Sequence, residues 1–245
     1  MRNESKRAEG EGLSKRQERA HRILDAAAEL IQRWGYKKTA VDDIARLAGV
    51  AKGTIYLHWK TREDLFMALL LREGVEAARE MIARVDSDPE GVCLGTIVKH
   101  SIYVIMTRPL ARALFIQDVD MLGELLQQNR EDVNMLTQQK LTFGRQLLEF
   151  FRAKGVLRTD RSLEDQLKMY ITMVIGTMTV DQYLPTDMRS SPEEATELLN
   201  AMIRDTLEPG EPIAPEIQRE LKTIWNQYIE QFMQTLEERL QAELA

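Results

Sequence analysis

Apolar residues recur along this chain at steps of three and four, the period of an α-helix whose one face is buried. Ala20, Ile23, Leu24, Ala27, Ile31 and Trp34 form a first stripe, and Gly35 closes it. Val41, Ile44, Ala45 and Ala48 form a shorter face that ends at Gly49, with Thr39 and Asp42 spaced as a capping box. Thr61 and Asp64 are spaced the same way ahead of a longer helix, which carries Leu65, Phe66, Leu69 and Leu70 and runs to about Arg84.

The same punctuation predicts helices over roughly 91–107 and from Pro109 to about Gln128. Asn129 with Asp132 opens one that ends at Gly155, Ser162 with Asp165 one that runs to Leu184, and Ser191 with Glu194 one that stops before Pro209. From near Pro215, Ile217, Leu221, Ile224, Trp225, Tyr228, Phe232, Leu236 and Leu240 sustain a single stripe. No alternating strand pattern, internal repeat or low-complexity tract interrupts this series, so the expected fold is all-α.

One segment fits the pattern badly. "VAKGTIYLHWK", residues 50–60, is short, basic and aromatic, and buries little beyond Ile55 and Trp59. Two short helices crossing steeply need a small residue at the crossing and a turn residue that tolerates positive φ; Ala45 and Gly49 supply them. With Ile55 and Trp59 as anchors, Lys52, Thr54, Tyr56, Leu57, His58 and Lys60 have little core to enter. Such a helix suits a DNA major groove, and Gly53 lets its backbone come close to a phosphate.

Charge sharpens this picture. Residues 1–62 hold 14 Lys and Arg against 8 Asp and Glu, whereas the remaining chain holds 19 against 31, so a total of −6 conceals a basic N-terminal part and an acidic remainder. Positive potential on a small unit suits a polyanion. Residues 1–18 mix both signs and read as a disordered arm, and Lys37 and Lys38 as solvated. No apolar run approaches a membrane span, residues 1–22 lack the apolar centre of a secretory signal, and one cysteine, Cys93, excludes an intrachain disulfide framework. A cytoplasmic protein is expected.

The stretch "TAVDDIARLAGVAKGTIYLHWKTREDLF", after "RILDAAAELIQRWGYKK", resembles the DNA-binding domain of TetR-type transcriptional regulators. The resemblance is dense from about Arg19 to Leu70, while later residues match only in architecture. It implies a helix-turn-helix domain over 19–64 and a larger helical ligand-binding and dimerisation domain over 65–245, acting as a homodimer on double-stranded operator DNA. Thr39, Lys52, Tyr56, His58 and Lys60 would contact phosphates, and Gly53, Thr54 and Leu57 would face the bases or sugar edge. Ala51 is a departure, because the family commonly has serine or another polar residue there; the missing hydroxyl cap costs about 1 kcal/mol. Leu57 can pack on a thymine methyl. The helices near 162–184 and 192–208 would pair with their copies, and 213–243 would be an additional helix that either packs on its own domain or extends the dimer, the dimer being favoured.

The same resemblance implies a small-molecule inducer. Methionine fills irregular space and adapts to varied ligands, so a cavity is expected among His100, Tyr103, Met106, Phe115, Asp118, Met121, Met135, Phe143, Tyr170, Met173 and Thr177. Asp118 has a competing structural reading as the partner of Arg112 or His100. No cofactor is implied. Enzyme classes find no support: Cys93 and His100 lack further metal ligands, and no nucleophile triad, phosphate-cradling glycine loop or paired-carboxylate motif is present.

Overall fold

The structure is a computed structural model that describes residues 2–128, 130–210 and 213–244; side chains are described from residue 15 onward, except at 119, 124, 126, 128, 130–137, 139, 140 and 143. All regular structure among the described residues is helical. In chain order the α-helices are α1 (Arg2–Lys38), α2 (Val41–Ala48), α3 (Lys52–Tyr56), α4 (Arg62–Ser87), α5 (Leu94–Thr107), α6 (Pro109–Phe115), α7 (Val119–Gln128), α8 (Arg130–Ala153), α9 (Leu163–Thr179), α10 (Pro192–Leu207) and α11 (Pro215–Leu244). Two compact units result, one of Met1–Glu76, Ala113–Gln128 and Phe232–Ala245, the other of Ala77–Arg112 and Asn129–Gln231.

In the first unit the α1 stripe is buried from Ala20 to Ile31, but Trp34 turns out to be 46% exposed. The helix breaks at Gly35, with φ 75° and ψ 166°, and this reversal swings Tyr36 into the core in place of Trp34. A Cβ on Gly35 would sit 3.2 Å from the Asp120 carbonyl oxygen of α7, so glycine serves both the backbone angle and the close approach. Tyr36 meets Phe66 edge to face at 4.9 Å, carries the Arg62 guanidinium 3.9 Å over its ring, and donates to Glu63 Oε1 at 3.0 Å. These contacts fix the turn between α1 and α2 to the first turn of α4. In the same unit Leu240 and Leu244 of α11 are buried, and Gln17 Nε2 donates to Gln241 Oε1 at 3.0 Å.

In the second unit, α5 packs on α10, and α8 and α10 both pack on α9. Ser162 and Ser191 cap α9 and α10 as their spacing predicts, the latter in a full capping box. Gln166 is buried and satisfied at both ends, accepting from Arg152 Nη1 and donating to the Arg158 carbonyl, each at 2.7 Å. Of the α11 stripe, Leu221 and Trp225 are buried, with Ile229 beside them, whereas Tyr228 and Phe232 are exposed at 41% and 39%.

Three boundaries differ from the sequence pattern. The helix expected over 109–128 is two helices, because Gln117 adopts φ 54° and Asp118 starts α7 afresh by accepting from the Asp120 and Met121 N–H groups at 2.9 and 3.0 Å. α9 stops at Thr179, where a 3₁₀ turn over Val180–Tyr183 takes over. Thr39 does not cap α2; the N-cap is Ala40, and no side chain bonds to it. The Asn129–Asp132 cap lies outside the described residues.

Candidate nucleic-acid interface

The turn between α2 and α3 is built by Gly49, in the left-handed region at φ 66° and ψ 37°, whose N–H returns to the last turn of α2. α3 is five residues long and is held by two side chains, Ile55 at 1% and Trp59 at 2% exposure. The chain then enters α4 through a reciprocal cap: the Asp64 N–H donates to Thr61 Oγ1, and the Thr61 N–H to Asp64 Oδ2, both at 3.0 Å. With both ends fixed, residues 51–60 present one continuous outward side. Ala51, Lys52, Gly53, Tyr56, Leu57 and Lys60 are exposed, and Thr54 is half-buried. Leu57, 73% exposed, is an apolar side chain with almost no partner in its own fold. Space around Gly53 is open, with nothing within 4 Å of an added Cβ, so internal packing does not call for glycine in this helix. Glycine inside a helix costs about 1 kcal/mol relative to alanine.

Two expected contact residues sit differently. Thr39 is 1% exposed and its hydroxyl donates to the Gly35 carbonyl at 2.8 Å, which corrects its reading as a surface phosphate contact; the break at Gly35 leaves a carbonyl that this hydroxyl satisfies. His58 is half-buried, 5.3 Å from the Trp59 ring, with Nδ1 shut from solvent. Burial, reinforced by the positive charges of Arg16 and Arg19, holds its pKa below the ordinary imidazole value. Two residues absent from the expected set enter the geometry. Arg16 Nη2 donates to the Leu57 carbonyl at 3.3 Å, and Asp42 holds Lys52 Nζ at 2.9 Å.

Residues 23–69 match the family model described as bacterial regulatory proteins, tetR family. That segment is a TetR-type DNA-binding domain. Among curated TetR-family relatives, it is 42% identical to the fatty acid metabolism regulator protein of Bacillus subtilis (strain 168) over 66 residues, 27% of this chain and 32% of that one. Against the regulator AcrR of Shigella flexneri the identity is 35% over 101 residues, 40% and 46% of the two chains. The matched stretch therefore spans about a third to a half of these relatives' length. The likeness in fold extends further: NalD of Pseudomonas aeruginosa, described as the secondary repressor of the MexAB-OprM multidrug efflux pump, superimposes with a TM-score of 0.58 at 20% identity, covering 79% of this chain and 99% of NalD.

Several residues expected to line a cavity have partners within the second unit. His100 and Lys99 both donate to Asp88 Oδ2, at 2.8 and 2.9 Å, and the Asp88 side chain is 5% exposed. Burial would raise this carboxyl, but the hydrogen bonds from Lys99, the Glu90 N–H and His100 outweigh it and hold the group below the ordinary carboxylate range. Tyr103 donates to Glu193 Oε1 at 2.8 Å under the Arg84 guanidinium, 3.9 Å above its ring. Thr177 donates back to the Met173 carbonyl at 2.8 Å. Burial pushes the Tyr170 hydroxyl up to about 12, and its ring lies against Gly144, where an added Cβ would be 3.1 Å away. Asp118 caps α7 through the Met121 N–H, and within the second unit Arg112 donates to the Met178 carbonyl at 3.2 Å. Phe115 and Met121 are half-buried in the first unit and Met106 in the second. The side chains of Met135 and Phe143 are outside the described ones. A groove on the second unit is lined by Lys168, Met169, Thr172, Met173, Met202 and Thr206, and of the expected set it holds Met173. Among the described residues no helix is long and apolar enough to cross a membrane, and no group of three or more His, Cys, Asp or Glu is placed to hold a metal ion.

Proposed function

We propose that this chain is a ligand-responsive, sequence-specific DNA-binding regulator. It acts as a repressor in the cytoplasm, binds a pseudo-palindromic operator as a homodimer and is released by a small hydrophobic or amphipathic inducer. The observation that carries this reading is the outward side of residues 51–60, where Lys52, Tyr56, Leu57 and Lys60 project from a segment pinned by Ile55 and Trp59. Lys52, Tyr56 and Lys60 contact phosphates, Thr54 and Leu57 face base edges, and the open side of Gly53 admits a phosphate close to the backbone. His58 takes part from the rim of the core rather than as a charged donor.

Dimerisation through α9 and α10 is supported by what their outer faces leave uncovered, Ile175 at 42% and Leu198 at 60% exposure. The groove beside Met173 and Met202 continues that face. The name of the Bacillus subtilis relative, a fatty acid metabolism regulator, favours an inducer with a long apolar portion. Such a ligand shifts the protein off DNA only as far as it prefers the released state.

Selection from a pool of random duplexes tests the reading. Enrichment of a pseudo-palindrome with half-sites a whole number of helical turns apart is the expected result, with binding that weakens steeply with salt. Tyr56→Ala and Lys60→Ala should each weaken that binding. Unchanged affinity and salt slope in both would remove residues 51–60 from the interface. Compounds that raise the melting temperature of the protein and release the selected duplex would identify the inducer class.

A further inference from the structure

Lys52 opens α3 on its outward side, and it is already paired. Its Nζ lies 2.9 Å from Asp42 Oδ2, ten residues earlier in the first turn of α2. Both side chains stay open to solvent, at 49% and 68%, so the pair lies on the surface that would face DNA. We propose that Asp42 is an intramolecular competitor of DNA phosphate for Lys52, a carboxylate that sets how tightly and with what salt dependence this surface holds a duplex. The inference rests on the DNA-binding reading above.

The fold does not explain the pair. An ion pair this exposed contributes little to stability. The α2–α3 junction has stronger constraints in Gly49 and in the buried Ile55 and Trp59. Nor is Asp42 the lone carboxylate at the start of α2, since Asp43 adjoins it and pairs with Arg46 on the same helix. What the pair does change is the surface charge. Lys52 reaches a phosphate only by leaving Asp42 or sharing it, and the carboxylate then faces the phosphate backbone. A carboxylate there retains a cation that would otherwise be released, so each binding event frees about one ion fewer than the count of phosphate contacts implies.

Asp42→Asn keeps the shape and the hydrogen-bonding length of the side chain and removes the charge. A fluorescently labelled random-sequence duplex is the probe, titrated by anisotropy between roughly 50 and 200 mM salt, so no operator need be known. The variant should bind about three- to tenfold tighter at the low-salt end, with a log–log salt slope steeper by about one. In the Lys52→Gln background the same substitution should change affinity less than about twofold, because the cycle removes the shared partner. An unfolded Asp42→Asn protein is replaced by Asp42→Ser, which retains a residue favoured at helix starts. Affinity that is unchanged or lower in the variant overturns the inference, as does an equal gain in the Lys52→Gln background, which would mark general repulsion. If the wild-type chain shows no salt-dependent duplex binding, the proposed function falls; if it binds and Asp42→Asn matches it, this inference alone falls.

Discussion

α3 and α5 carry similar mixtures of polar and apolar side chains, and they use them in opposite ways. On α5 every polar candidate is bound within the second unit: Lys99 and His100 to Asp88, Tyr103 to Glu193, Ser101 to the Ile97 carbonyl and Thr107 to the Tyr103 carbonyl. Along residues 51–60 the apolar anchors are used up in the core, whereas the side of Tyr56 and Leu57 has no comparable internal demand. A polar residue on an apolar helix face therefore points to a ligand only when its hydrogen bonds are not already made inside the fold. Burial of an unpaired polar group is costly enough that most such residues have a partner.

The anchors give the strongest test of this contrast. Trp59→Ala should lower stability by about 4 kcal/mol, as for other fully buried aromatic side chains, and should be seen as a lower denaturant midpoint. Lys60→Ala should leave the midpoint within about 0.5 kcal/mol while weakening DNA binding. Equal losses in the two variants would erase the distinction between anchor and reading side. Next in size is Asp88→Asn, which takes the buried carboxylate from Lys99 and His100, leaves Lys99 with the exposed Glu197, and should cost about 3 kcal/mol at neutral pH. Asp88 is held below its ordinary pKa of 3.8, so its contribution is present above that value and is lost as pH falls through the lower folded value. The gap between wild type and Asp88→Asn should close on acidification; a constant gap would mean that Asp88 ionisation has no part in it. A smaller effect is expected at the alkaline end. The Tyr170 hydroxyl is raised to about 12, so wild type should lose stability as pH rises from about 10 through that value, and Tyr170→Phe should lose less.

Much of this was legible in the sequence because the signals were local. The caps at Thr61, Ser162 and Ser191, the turn at Gly49 and the anchors Ile55 and Trp59 all lie within a few residues of what they fix. The failures share a different property: each depends on a contact distant in sequence or on a single backbone angle. Trp34 and Tyr36 exchange places because Gly35 leaves the helix, and periodicity carries no information beyond such a break. Asp118 reads as a buried charge on one long helix, but it caps a new one once Gln117 adopts positive φ. A cavity lining assembled from methionines and isolated polar residues had no local signal, and His100, Tyr103 and Thr177 of that set are bonded inside the second unit. The Asp-Asp-Ile start of α2 carries a hint of the Lys52 pair, since a carboxylate ahead of a basic α3 has somewhere to point.

Arg16 offers the finest test, because the sequence places it in an unstructured arm while the structure ties it to the end of α3. Its guanidinium donates to the Leu57 carbonyl, and its charge is one of the influences that depress His58. Cations near the last carbonyls of a helix are favourable, so Arg16 would steady the segment from which Leu57 projects. Arg16→Ala should raise the His58 pKa while leaving it below 6.5, because burial, the larger cause, remains. His58 in the folded protein titrates below its unfolded value, so its contribution to stability is present above 6.5 and is lost as pH falls through the folded value. In Arg16→Ala that loss should be smaller and be complete at a slightly higher pH. Ring-proton NMR resolves the shift, since the chain has three histidines and His21 and His100 can be assigned by substitution. An unmoved His58 titration would detach Arg16 from α3 and return it to the arm.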